Sequence, residues 1–175
     1  MGVCIADLEE GCCDYLESLD ITDGDSFTDA SPTIDNILEC NDKYLLIEEK
    51  SFLLHFFKQS CKGRKKYSSF INNGILEDEY FTFLATLTKE EKSKTFRDCS
   101  LDLLDEIPRK VVTTIEYLDD KVKVANSKNI ILYCDSGTEI DQIASILFAR
   151  YNNEEENTVI ECNKLEKFLK LKGCA

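Results

Sequence analysis

The feature that most constrains this sequence is a pair of apolar runs, residues 33–40 and 43–50, separated only by Asn41 and Asp42. Asn and Asp favour turns, and two strand-like runs joined by two such residues predict a β-hairpin. If Asn41 and Asp42 form the loop, Cys40 lies opposite Lys43. The same register places Asp35 directly opposite Glu48.

The rest of the pattern predicts an α/β protein. Helical spacing or composition predicts helices over residues 3–20, 51–61, 76–87, 89–104, 109–124, 138–151 and 164–171, with a break at Pro108. Residues 129–134 and 157–162 are predicted to be strands. Residues 22–31 are predicted to be a loop. We therefore expect one domain over residues 1–175, with a mixed central sheet flanked by helices. Residues 1–31 would form an acidic helical segment, and residues 64–125 a helical insertion.

Charge is distributed very unevenly along the chain. The net charge is −13, yet the first 42 residues contain twelve acidic side chains and no Lys or Arg, so the remainder carries only −1. Within that remainder, residues 50–76 have six basic side chains and no acidic one. Such asymmetry predicts two surfaces of opposite sign, one of which could bind a polyanion and the other a basic protein.

Cysteine usage and the first residues indicate a cytoplasmic protein. The nine cysteines are odd in number, contain no CxxC pair and are accompanied by a single histidine, His55. This pattern argues against a zinc module or a disulfide scaffold, so we expect reduced, mostly buried thiols. The chain starts without a basic and apolar secretory signal, and no apolar run approaches the roughly 20 residues of a membrane span.

Two acids and one lysine converge at the open end of the predicted hairpin. Asp35 and Glu48 are paired across it, and Lys50 projects from the same face as Glu48 because side chains alternate along a strand. Two opposed carboxylates repel each other unless a cation lies between them. The cluster therefore predicts a site for a divalent cation, with a positive group beside it.

This arrangement, with Asp35 thirteen residues before Glu48-x-Lys50 at a strand end that precedes a helix, resembles the PD-(D/E)xK nuclease family. The resemblance implies a restriction-endonuclease-like core over residues 3–62 and 129–134. It implies that Asp35 and Glu48 bind Mg2+ or Mn2+, and that Lys50 positions or activates the attacking water. The implied activity is metal-dependent hydrolysis of phosphodiester bonds in DNA or RNA. Residues 90–92 and 119–121 satisfy the same triplet, but in segments predicted to be helical.

Basic side chains just after the predicted site could contact phosphates, or could simply form a solvated helix end; they are Lys58, Lys62, Arg64, Lys65 and Lys66. Other interpretations stay open. The hairpin could be an ordinary one with charges at its mouth. The chain could be a non-catalytic interaction protein or nucleic-acid mimic that binds a basic partner through residues 1–42. Residues 133–138 are also similar to the active loop of rhodanese-like sulfurtransferases, which would make Cys134 catalytic.

Overall fold

The computed structural model describes residues 15–28, 31–50, 52–62, 77–133 and 157–174. In chain order the elements are β1 (Ile21–Asp23), β2 (Asn36–Cys40), β3 (Lys43–Lys50), α1 (Phe52–Cys61), α2 (Glu77–Ala85), α3 (Lys89–Glu116), α4 (Lys121–Ala125), β4 (Lys128–Tyr133), β5 (Asn157–Glu161) and α5 (Leu165–Lys172). The strands form one sheet in the order β1-β2-β3-β4-β5. The first three are antiparallel, whereas β3, β4 and β5 are parallel. The protein is therefore α/β, with a mixed, open five-stranded sheet and helices.

The predicted hairpin and its register are confirmed. Cys40 pairs with Lys43, and the pairing continues to Asn36 opposite Ile47. Asn41 has φ of 51°, a left-handed conformation that Asn tolerates better than most residues with a Cβ. A two-residue turn thus fixes which side chains of β2 and β3 share a face.

Two predictions of local structure are wrong. The loop expected over residues 22–31 instead contains most of β1 and a 3-10 turn, Gly24–Phe27. The three residues of β1 show no apolar alternation that would predict a strand. They form one because their backbone pairs with β2. The break expected at Pro108 is absent, and α3 runs through it as one helix. Proline removes one backbone hydrogen bond, and the burial of Ile107 and Thr114 on either side of it favours a continuous helix. The predicted helix over 138–151, Cys134 and residues 3–14 lie outside the described residues.

The sheet is packed on both faces, as the alternation of β4 shows most simply. Ile131 and Tyr133 join the apolar cluster formed with α1, α2 and α3. Ile130 and Leu132 point the other way and pack with α5. Among the described helices, none is both long and apolar enough to cross a membrane.

Thr114 ties the long helix α3 to the start of β2. Its hydroxyl is fully buried, accepts a hydrogen bond from the Ile34 amide at 2.8 Å and donates one to the Lys110 carbonyl at 2.8 Å. A buried amide without an acceptor costs free energy, so the bond from Ile34 to this hydroxyl fixes the position of α3 relative to the hairpin.

The cysteines are only partly as predicted. Cys40, at the end of β2, is joined to Cys174, beyond α5, by a disulfide across 134 residues of sequence. The expectation of reduced thiols is therefore wrong for this pair, which spacing alone could not reveal because the two residues meet only through the fold. Cys99 is a free and buried cysteine. Burial, followed by the nearby Asp102 and Asp98 charges, raises the pKa of Cys99 to about 12, so this thiol is unreactive near neutral pH.

We predict that Thr114→Val lowers the free energy of unfolding by about 1–3 kcal/mol, since it leaves the buried Ile34 amide without its acceptor. Urea denaturation measures this change. Thr95→Val is the matched control, because the Thr95 hydroxyl makes the same bond to the carbonyl four residues earlier on α3, at 2.9 Å. The control should change stability by about 0.5 kcal/mol or less. Equal losses in the two variants would contradict the anchoring role.

We also predict that Cys174→Ser destabilises the oxidised protein by about 2–4 kcal/mol, because the cross-link restricts the unfolded chain. In the presence of dithiothreitol, wild type and Cys174→Ser should unfold at the same urea concentration. Cys99→Ser, at a free and buried thiol, should change stability by the same amount with and without reductant. A Cys174→Ser effect that persists in reductant would show that packing, not the disulfide, is responsible.

Candidate functional site

The site lies at the open end of the β2–β3 hairpin, where Asp35 and Glu48 face each other. The Glu49 amide donates a hydrogen bond to Asp35 Oδ2 at 2.8 Å, and the Asp35 amide lies 3.4 Å from Glu48 Oε2. Glu48 is only 1% exposed, on the same face of β3 as Leu46 and Lys50. The backbone of each strand thus fixes the carboxylate of the other.

Gly24 helps to position Asp35. Its amide donates a hydrogen bond to the Asp35 carbonyl at 3.0 Å. A Cβ at this position would lie 1.7 Å from the Ile34 carbonyl oxygen, so only glycine permits this approach. The turn after β1 therefore packs directly on the residues that lead into β2.

Two lysines and a third carboxylate complete the cluster. Lys110 Nζ, from α3, lies 2.6 Å from Glu48 Oε1 and 3.0 Å from Asp35 Oδ1. Lys50 Nζ lies 2.7 Å from the same Glu48 oxygen and 3.1 Å from Glu106 Oε1. Glu106 is one helical turn before Lys110 on α3, and its Oε1 atom lies 3.8 Å from Lys110 Nζ. Three carboxylates and two ammonium groups therefore form one network between the hairpin and α3.

The charge of Glu48 depends on the neighbouring cations. Burial, and then the adjacent Asp35 charge, raise the pKa of Glu48, although the ammonium groups of Lys50 and Lys110 counteract the rise. Burial is the largest single influence and lowers the pKa of each lysine. The charge and hydrogen bond of Glu48, with Glu106 for Lys50 and Asp35 for Lys110, together outweigh it, so both lysine pKa values are raised. Burial raises the pKa of Glu106, but the charges of Lys50 and Lys110 and the hydrogen bond from Lys50 bring it below its usual value. A buried carboxylate of this kind stays ionised only beside positive charge.

The oxygen donors suit a hard divalent cation. Asp35 and Glu48 both contact a single positive atom, Lys110 Nζ, so their oxygens converge on one point. Within the described residues, no group of three or more His, Cys, Asp or Glu side chains could hold a metal. Magnesium commonly binds through one or two carboxylates and keeps water or phosphate oxygens as its other ligands. Two carboxylates alone would hold Mg2+ or Mn2+ only with water or phosphate oxygens as the remaining ligands.

The other residues singled out from the sequence lie elsewhere. Lys58 is on α1, and Lys62, just after that helix, lines a cavity of about 450 Å3 between α1 and α3. Lys94 lines it too, but so do the acidic Glu91, Asp98 and Asp102. Arg64, Lys65 and Lys66 lie outside the described residues. The two competing triplets are at helix starts, where Glu91 belongs to the capping box of α3 and Asp120 caps α4.

Glu106 and Lys110 were not anticipated from the sequence. They form a Glu-to-Lys pair four residues apart, which is common on solvated helices and carries no information about a distant hairpin. Pro108 between them also suggested an interrupted helix. Only the packing of α3 over β2 and β3 brings their side chains to Asp35 and Glu48.

Comparison with known proteins assigns no family to the chain. No protein-family model matches it, and no curated protein or solved structure matches it either. A functional proposal therefore has to rest on the chemistry of the side chains themselves.

His55, on α1, lies near the edge of the network. Its Nε2 atom is 3.8 Å from Asp102 Oδ2 and, though buried, has no hydrogen-bond partner among the described residues. Burial and then the Lys50 charge lower the pKa of His55, outweighing Asp102 and Glu106, while Lys58 also lowers it. The folded protein therefore prefers the neutral imidazole at neutral pH.

Because the folded state disfavours protonated His55, stability should fall as the pH drops below the ordinary histidine pKa of 6.5. Between about pH 7.5 and about pH 5.5, wild type should lose on the order of 1 kcal/mol more than His55→Gln, which cannot titrate. Urea denaturation of both proteins at both pH values measures this difference. Carboxylates other than Asp102 and Glu106, which interact with His55, affect the two proteins alike and cancel. Identical pH dependence would show that His55 is not held neutral by the fold.

Proposed function

We propose that the protein is a metal-dependent nuclease, which hydrolyses phosphodiester bonds of DNA or RNA with Asp35 and Glu48 as ligands of Mg2+ or Mn2+. One observation carries the proposal. The two carboxylates converge on one cationic atom, at 3.0 and 2.6 Å, while the Lys50 ammonium lies 2.7 Å from Glu48. Hard oxygen ligands with an adjacent positive group suit phosphoryl chemistry.

The topology supports a restriction-endonuclease-like core. An antiparallel meander, β1-β2-β3, is followed by α1 and then by β4, which pairs parallel to β3. This is the order of meander, helix and strand that the resemblance to PD-(D/E)xK nucleases implies. The proposed ligands lie at the end of β3 that leads into α1, as in that pattern. The helix expected before the meander falls largely on residues outside the described ranges.

Each residue has a distinct role in this proposal. When bound, a divalent cation would act as a Lewis acid on a phosphate oxygen. Asp35 and Glu48 hold it, and the hydrogen bond from Glu49 to Asp35 keeps one carboxylate oriented. Lys50 donates hydrogen bonds to the attacking water or the phosphate, in which negative charge develops. Glu106 positions the Lys50 ammonium from the side of α3.

The nucleic acid would extend from this site along α1. Lys58 is on the helix that follows Lys50, Lys62 comes directly after that helix, and Arg64, Lys65 and Lys66 come next in the sequence. We assign phosphate contacts to these five side chains. A cytoplasmic location belongs to the same proposal; the Cys40–Cys174 disulfide argues against it, because disulfides are uncommon in that compartment.

The alternative is a non-catalytic protein that binds a basic partner through its acidic first 42 residues. Part of that acidity is already neutralised within the fold, since Asp35 pairs with Lys110 and Glu39 with Lys123. These two acids are thus less available to a basic partner, and an activity assay separates the two functions.

We predict that the purified protein cleaves end-labelled single-stranded or duplex DNA or RNA in the presence of Mg2+ or Mn2+. Chelation by EDTA should abolish cleavage. Lys50→Ala should reduce the rate by about a hundredfold or more, because the positive charge beside the developing negative charge is lost. Gel electrophoresis of the products, with circular dichroism to verify folding, provides the measurement.

Lys123→Ala is the matched control for charge. Lys123 is also paired with a carboxylate, Glu39, but on α4 and outside the network described above, so this variant should cleave like wild type. Cleavage that persists in EDTA would contradict the metal role. A folded Lys50→Ala protein with wild-type activity would contradict the role of Lys50, and no cleavage of any substrate would favour the interaction protein.

A further inference from the structure

Lys110 lies at the point where the metal ligands converge. Its ammonium is within hydrogen-bond distance of Asp35 Oδ1 and Glu48 Oε1, and its side chain is only 12% exposed. The lysine comes from α3, not from the hairpin that supplies the two acids. A side chain from another element thus provides the counter-charge that the paired carboxylates require.

An ammonium and a divalent cation cannot both occupy this position. Asp35, Glu48 and Glu106 contribute −3, and Lys50 and Lys110 contribute +2, so the network carries −1 as it stands. Adding a divalent cation would make it +1, with two cations crowded against the same oxygens. Adding the cation and moving Lys110 out of the network would make it neutral. Charge balance therefore favours exchange over co-occupancy.

We propose that Lys110 is a built-in competitor for the metal: its ammonium occupies the cation position between Asp35 and Glu48 and must leave before a divalent cation binds. This inference rests on the proposed function, because it concerns the same two ligands. Its consequence is that the metal-free site is closed by the protein itself and opens only at a sufficient concentration of divalent cation.

The surroundings allow the exchange without unfolding. Thr114 holds the Lys110 carbonyl, so the helix backbone stays fixed while the four-carbon side chain rotates. The Lys110 side chain already reaches solvent, at 12% exposure, so its displaced ammonium leaves the network in that direction.

The test is direct binding of Mn2+, counted from the electron paramagnetic resonance signal of the free ion. Lys110→Met should bind Mn2+ more tightly than wild type by about tenfold or more, because no ammonium competes. Lys110→Arg keeps the positive charge and should bind as weakly as wild type. Lys123→Met removes one positive charge outside the network and should also match wild type. Asp35→Asn should lose binding.

Labelling of the wild-type protein gives an independent readout that needs no variant. In acetylation followed by mass spectrometry, Lys110 should be protected without metal and should react several-fold faster at saturating Mn2+, once it has left the carboxylates. Mn2+ should not change the labelling of Lys123, which is paired with Glu39.

The outcomes separate this inference from the proposed function. If Lys110→Met and wild type bind Mn2+ equally and Asp35→Asn does not, or if Lys110→Arg tightens as much as Lys110→Met, the competition is refuted while the metal site stands. Unchanged Lys110 labelling at saturating Mn2+ likewise refutes it. If no protein binds Mn2+, both the inference and the proposed metal site fail.

Discussion

The interaction on which the site depends is the compensation of the buried Glu48 carboxylate. Glu48 is inside the layer between the sheet and α3, opposite a second carboxylate, and a negative charge in such a place is strongly unfavourable unless cations accompany it. Lys50 supplies one ammonium from the same strand and Lys110 supplies the other from the helix above. The position of α3 over the hairpin is thus an electrostatic necessity as well as a matter of apolar packing.

Several independent contacts fix that geometry. Thr114 joins α3 to the backbone of Ile34, and Gly24 allows the turn after β1 to hold the carbonyl of Asp35. Both contacts hold the backbone of Ile34 and Asp35 at the open end of the hairpin. The Glu49 and Asp35 amides in turn lie against the carboxylates of Asp35 and Glu48. In the proposed nuclease, these contacts would preorganise the two carboxylates for a cation.

The proposed competition between Lys110 and a metal gives the network two chemical states. With the ammonium of Lys110 in place, each of the three carboxylates has a cationic partner. In the proposed second state, a divalent cation would replace that ammonium between Asp35 and Glu48, with Lys50 beside it. The lysine would keep the paired acids from facing each other uncompensated before any metal binds.

The hairpin, its register and the opposition of Asp35 and Glu48 were predictable from the sequence, because a two-residue turn and strict alternation along strands leave little freedom in local pairing. Apolar periodicity also predicted the α/β class and most of the described helices and strands. Four features emerged only from the folded structure: the pairing of β1, the continuity of α3 through Pro108, the Cys40–Cys174 disulfide, and the presence of Glu106 and Lys110 at the site. These features join residues that are distant in the chain or override a local preference, and the free energy that selects them comes from packing and charge compensation that exist only once the layers are assembled.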